Sequence, residues 1–177
     1  MFFTNPFLGL PSSKVKYLSL QNLKMTSVNE DFCIHGEHLN SIEATMLLEM
    51  VKDNPKVKEL IFTGDNLSEI DEELLFQTIM NLKSISFLGT HLSLKQLTRI
   101  VSAATLSNSL ESLVLSSNNL SKVCCDQLLA ATAKLQVLGL ESTSLTQEQY
   151  IEIVDAGNCF LYILVTLSPN LLLKILT

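Results

Sequence analysis

Apolar residues return along this chain in one frame. The stretch LESLVLSSNNL sets Leu110, Leu113, Leu115 and Leu120 around a polar Asn118. The same frame recurs at Leu135, Leu138, Leu140 and Leu145, at Leu82, Ile85, Phe87 and Leu92, and at Val57, Leu60, Phe62 and Leu67. Its starts at 57, 82, 110 and 135 are 25, 28 and 25 residues apart. Inside each copy the apolar positions alternate, which predicts a short strand. Between copies the period lengthens to about 3.6, which predicts a helix. Helices are expected over 41–54, 68–81, 93–108, 121–134 and 146–158. Nearly every one opens on Ser or Thr directly after Leu or Asn, the residue type whose hydroxyl satisfies the free amides of a first turn.

The frame extends in both directions with losses. A step of 28 back from Val57 reaches Asn29, puts Phe32, Ile34 and Leu39 at core positions, and aligns IHGEHL (34–39) with FTGDNL (62–67). A step of 26 forward from Leu135 reaches Leu161, with Leu164 and Leu171 in frame but Thr166 and Pro169 in place of Leu and Asn. Further back, VKYLSLQNLKM (15–25) carries Val15, Leu18, Leu20 and Met25, too close to 29 to leave room for a helix. It predicts an amino-terminal strand, either a helix-less first unit or a cap against the second strand.

A lone strand–turn–helix unit leaves an apolar edge in water, so neighbours must stack. Stacking buries Leu60, Ile85, Leu113 and Leu138 as one ridge, with Leu47, Leu75, Leu97 and Leu128 behind it. The expected fold is α/β: a right-handed solenoid of about six repeats, parallel sheet on the concave side and helices on the convex side. Residues 1–14 form an extension, and repeats start near 15, 29, 57, 82, 110, 135 and 161, the last incomplete.

Composition narrows the function classes. The 177 residues are 47% apolar and 17% charged, ample for one core. Eighteen acids against 12 basic residues give a net charge of −6, the wrong sign for a phosphate-backbone binder, so nucleic acid is not expected as a partner. The first residues lack a basic stretch and are broken by Pro6 and Pro11, unlike a signal peptide. Cys33, Cys124, Cys125 and Cys159 have no framework spacing, which suits a reduced, cytoplasmic setting. The tail 159–177 holds one charge, Lys174, but Ser168-Pro169-Asn170 interrupts it. Burial or self-association through this end is expected rather than membrane insertion. An array ending without a polar cap reads as a fragment or isoform of a longer protein.

Units of 25 to 28 residues with a Ser or Thr after the last Leu resemble the ribonuclease-inhibitor-like class of leucine-rich repeats over residues 15–171. The stretch LSSNNLSKVCCDQLLAAT (115–132) is most similar to carboxy-terminal repeats of NOD-like receptors. The resemblance implies a horseshoe arc, no cofactor, and a protein-binding scaffold or innate-immune receptor segment. It does not extend to a continuous asparagine ladder, because the position of Asn118 holds Glu37, Asp65, Thr90 and Thr143 in other copies. No Walker-type glycine loop is present, so a receptor's nucleotide switch would lie outside this chain.

Strand residues between the core positions face the concave surface. The candidate protein-binding residues are Cys33, His35, Glu59, Ile61, Thr63, Ser86, Leu88, Val114, Ser116 and Glu141, flanked by Lys16, Ser19, Gln21, Asp31, Ser84, Ser112, Val137 and Gly139. Ile61, Leu88 and Val114 are expected side by side, able to be desolvated together by a protein ligand or another domain of the parent protein. No catalytic, cofactor or metal residue is assigned. Cys33, His35, Glu37 and His38 offer sulfur, nitrogen and oxygen atoms, but the alignment splits them between strand and turn, which does not make a tetrahedral set. His91 falls at a solvent-exposed turn. Cys33 and His35 point the same way without a third orienting group. Acidic Glu69, Asp71, Glu72 and Glu73 suit a helix start. Asn66 and Asn119 begin Asn-x-Ser sequences at the same template position, which the repeat itself accounts for. The alternative class is a GTPase activator of the Ran type, which needs an exposed cation or an equivalent group. The only arginine, Arg99, lies in the helix SLKQLTRIV on the outer side. A truncated isoform without independent activity is the remaining alternative.

Overall fold

Alternation writes the sheet. In the computed structural model, which describes residues 22–28 and 31–156, the strands are β1 (Leu23–Val28), β2 (Asp31–Glu37), β3 (Val57–Thr63), β4 (Ser84–Leu88), β5 (Ser112–Val114) and β6 (Val137–Gly139). Helices α1 (Ser41–Lys52), α2 (Glu72–Ile79), α3 (Leu94–Leu106) and α4 (Cys125–Thr132) join successive strands from β2 onward, and α5 (Gln147–Ala156) follows β6. The extension 1–14, the positions Val15, Lys16, Leu18, Ser19, Leu20, Gln21 and Asn29, and the segment holding Cys159, Leu161, Leu164 and Leu171 lie outside the described residues.

The six strands form one sheet in chain order, β1 antiparallel to β2 and every later pair parallel. The helices pack in the same order, each on the next. Ile34, Leu60, Ile85, Leu113 and Leu138 stand opposite one another across five strands, and all are fully buried. Leu47, Leu75, Leu97 and Leu128 lie in the same apolar cluster, so the helices seal that side of the sheet. Burying each such Leu contributes about 1.5–3 kcal/mol, and trimming one to Ala costs about 2–5 kcal/mol. Phe62 and Phe87 stack with ring centroids 5.8 Å apart one row further along.

Three expectations require correction. The amino-terminal strand, expected over 15–25, is described as Leu23–Val28, and it lies against β2 as a cap would, in antiparallel pairing. Leu23 packs on the core, but Met25, expected inside it, is 42% exposed on this outermost described strand. The second correction concerns β2. Ile34 lies opposite Leu60 rather than Phe62, and Gly36 lies opposite Phe62, with an irregularity between Phe32 and Cys33. Cys33 and His35 therefore stand beside Glu59 and Ile61, not one row lower. Gly36 makes room in this register: a Cβ there would lie 2.7 Å from Leu39 Cδ1, so Leu39 packs where a side chain would stand.

The third correction is in the caps. Ser93 caps α3 and Thr146 hydrogen-bonds the amide of Gln149, but α1 is capped by Asn40 and α2 by Asp71. Cys124 begins α4 without a side-chain cap bond.

The reason lies in two kinds of turn. Each strand from β2 to β6 leads into a left-handed residue: His38, Gly64, Gly89, Ser117 and Ser142 have φ between 55° and 68°. After β3 and β5 the next residue is a buried Asp65 or Asn118. Asn66 or Asn119 then folds an Asx turn, its Oδ1 accepting from the N–H and hydroxyl of Ser68 or Ser121. Those serines are spent on the turn, and the helix waits until Asp71 or Cys124, leaving 8 residues each for α2 and α4. The Asn-x-Ser sequences are thus turn chemistry. After β4 and β6 the residue is a buried Thr90 or Thr143, followed by a second left-handed residue, His91 or Ser144. Here Ser93 and Thr146 are free to cap at once, with Gln96 and Gln149 accepting from the cap amides at 2.8 and 2.9 Å.

Candidate functional site

The side of the sheet away from the helices is arranged in rows. Cys33, Glu59, Ser84, Ser112 and Val137 are opposite one another in the first row. His35, Ile61, Ser86, Val114 and Gly139 make the second, and Glu37, Thr63 and Leu88 begin the third. Glu59 and Leu88 are exposed, and Cys33, His35, Ile61, Thr63, Ser86 and Val114 are half-buried. Alternating strand geometry put these side chains on one face, as their sequence spacing requires.

The expected apolar trio does not form a single row. Ile61 is followed by Ser86, and Val114 comes after that serine. Leu88 sits in the next row beside Thr63, diagonal to Ile61. Val114 instead covers Gly139, where an added Cβ would meet its Cγ1 at 2.9 Å. Ser116 is 5% exposed and its Oγ accepts from the Glu141 N–H at 3.2 Å, so it braces the wall rather than facing a partner. Glu141 is half-buried.

β1 adds residues that the repeat frame did not assign. Lys24 lies opposite His35 and Thr26 opposite Cys33. Lys24 Nζ pairs with Glu37 Oε2 at 2.9 Å, and this hydrogen bond holds the Glu37 carboxyl below its usual range. The signal was the polar alternation of Lys24 and Thr26 within LKMTSV, which the repeat frame, ending at Met25, left unassigned.

Among the described residues, the histidines and cysteines do not gather at one place. His35 Nε2 is 3.1 Å from Thr63 Oγ1. Burial pushes the Cys33 thiol up, and the Glu59 carboxylate adds to the effect, so at neutral pH Cys33 stays protonated and is a poor nucleophile. His38 and His91 are exposed residues of separate turns. Among the described residues, no three or more His, Cys, Asp or Glu side chains are gathered where they could hold a metal ion, and no helix is long and apolar enough to cross a membrane. Arg99 is on the helix side, ion-paired with Glu73 and lying 3.8 Å over the centre of the Phe76 ring. Compared with protein-family models and with curated proteins, the chain matches none.

Proposed function

We propose that this chain is a leucine-rich repeat solenoid that binds a protein partner through its open sheet face and catalyses no reaction. One observation carries the reading: the same strands that are sealed under helices on one side leave Glu59 and Leu88 exposed and Ile61 and Val114 half-buried on the other. A face mixing carboxylates, hydroxyls and scattered apolar side chains has the composition of an ordinary protein–protein contact, with direct hydrogen bonds at its rim. The partner is a protein ligand or another domain of the same parent protein, and the setting is cytoplasmic. The likeness of residues 115–132 to NOD-like receptor repeats supports a receptor or scaffold role.

A photo-crosslinking residue placed in turn at Ile61, Leu88 and Val114, and at Lys95 and Ser102 on the helix side, tests this in native extract. The expected result is a discrete cross-linked protein from the sheet positions alone. Cross-links confined to the helix positions would overturn the choice of face. Stimulated GTP hydrolysis by the chain would favour the activator reading instead, although the engagement of Arg99 by Glu73 and Phe76 speaks against it.

A further inference from the structure

Asp65 is a carboxyl group in a place that Asn118 fills with a carboxamide. Asn118 uses both halves of its amide. Its Oδ1 accepts from Leu92 N–H and from the Thr90 hydroxyl, each at 3.4 Å. Its Nδ2 donates to the carbonyl oxygens of Phe87, Leu115 and Ser116 at 2.7, 3.2 and 3.3 Å. Asp65 is fully buried at the corresponding turn, and its Oδ1 accepts from Leu39 N–H as Asn118 Oδ1 accepts from Leu92 N–H. Its Oδ2, the atom in the place of the donating nitrogen, has no partner.

An ionised carboxylate would leave that buried oxygen charged and without a hydrogen bond of its own, which is costly in a buried turn. A proton on Oδ2 removes the charge and supplies a hydrogen where Asn118 has its N–H groups. The groups acting on Asp65 are the imidazoles of His38 and His35, whose charged forms favour the carboxylate, and the backbones of Leu39 and Thr63, which do the same. Burial outweighs them and pushes the carboxyl up from its ordinary range. His38 is close at hand, since a Cβ on Gly64 would lie 2.9 Å from its ring.

We propose that Asp65 carries a proton on Oδ2 in the folded protein, and that its loss loosens the joint between the β2 and β3 units, making this turn a pH-sensitive point in the array. A carboxyl held above its unfolded-state value of about 3.9 stabilises fully below that value. The advantage fades as pH rises toward the folded-state value. For one proton the folding equilibrium constant falls about tenfold per pH unit across that window.

Urea unfolding of the full chain between about pH 4 and pH 8 tests the proposal. The wild-type folding constant is expected to lose this one-proton slope with Asp65→Asn, and the variant is expected to be the more stable protein at neutral pH. An unchanged slope, or a variant less stable at neutral pH, overturns it. Carbon NMR of the Asp65 carboxyl in the wild-type chain gives an answer independent of how the variant folds. A resonance that titrates at or below the ordinary carboxylate range overturns the proposal, and one that stays at its protonated position through that range supports it. The reverse exchange, Asn118→Asp, is expected to add a second one-proton slope; its absence would break the equivalence of the two turns.

Discussion

After β5 the chain turns into its helix around Asn118, and after β4 it does so around Thr90. Both side chains are buried and both turns satisfy an amide of the preceding unit, by different atoms. Asn118 reaches Leu92 N–H with its side chain, whereas Thr90 accepts from Leu67 N–H with its backbone carbonyl at 3.1 Å. Thr143 repeats the second arrangement, taking Leu120 N–H at 2.8 Å. A threonine hydroxyl is too short to do what a carboxamide does, so the main chain turns its own carbonyl inward, and the left-handed residues His91 and Ser144 accompany that turn. This difference sets where the next helix begins. Where the side chain does the bonding, an Asx turn delays the helix. Where the backbone does, Ser93 or Thr146 caps it immediately, and α3 reaches 13 residues against 8 for α2. The two kinds also interlock, because buried Gln96 at the start of α3 donates to the Leu67 and Ile70 carbonyls of the preceding turn at 2.7 and 2.6 Å.

The comparison breaks most clearly at Asn118. Asn118→Ala leaves the Leu92 amide without its acceptor and takes the side-chain donor from the Phe87 carbonyl, while the Leu115 and Ser116 carbonyls keep the backbone N–H groups of residue 118 and Gly89. Urea unfolding is expected to show a loss of about 3 kcal/mol, given about 1–3 kcal/mol for each buried group left without a partner. Thr90→Val keeps the backbone carbonyl that serves Leu67 and is expected to cost only about 1 kcal/mol. Equal losses would mean that the two turns depend on their side chains alike. Gln96→Ala comes next, at about 2 kcal/mol, because it takes the side-chain donor from the buried Ile70 carbonyl and one of the two donors of the Leu67 carbonyl, which still accepts from Ile70 N–H. Gln149→Ala, whose side chain is only half-buried, should cost less in the same assay. The smallest effects sharpen the assignment of the serines. Ser93→Ala removes a true cap and should cost about 1 kcal/mol with lost helical circular dichroism. Ser68→Ala and Ser121→Ala touch exposed Asx turns and should stay within about 0.5 kcal/mol. A larger loss at Ser68 or Ser121 than at Ser93 would return them to the role of caps.

Period-two and period-3.6 patterning was enough to mark Leu60, Ile85, Leu113 and Leu138 as one buried line and Leu47, Leu75, Leu97 and Leu128 as the helix faces behind it, since burial of alternate residues is a local property of strand and helix geometry. The same alternation named the open-face residues from Cys33 to Glu141. It misplaced the frame of β2, because a glycine adds nothing to a hydrophobic period and the fold-back of Leu39 over Gly36 is a packing event. The direction of β1 was equally hidden, as Leu23–Val28 alternates alike in either sense, and only pairing with β2 decides it.

The spacing of units, the strands and helices and most of the core residues could be read from periodicity alone, because a segment carries these properties in its own pattern. Folding in three dimensions set the row in which each open-face residue stands, which serine caps and which turns, and which neighbours Asp65 Oδ1 and Asn118 bond. Those outcomes rest on hydrogen bonds between units, such as Asn118 to the Phe87 carbonyl 31 residues away. No local pattern encodes a partner at that distance, because the bond exists only once the neighbouring unit is stacked in place.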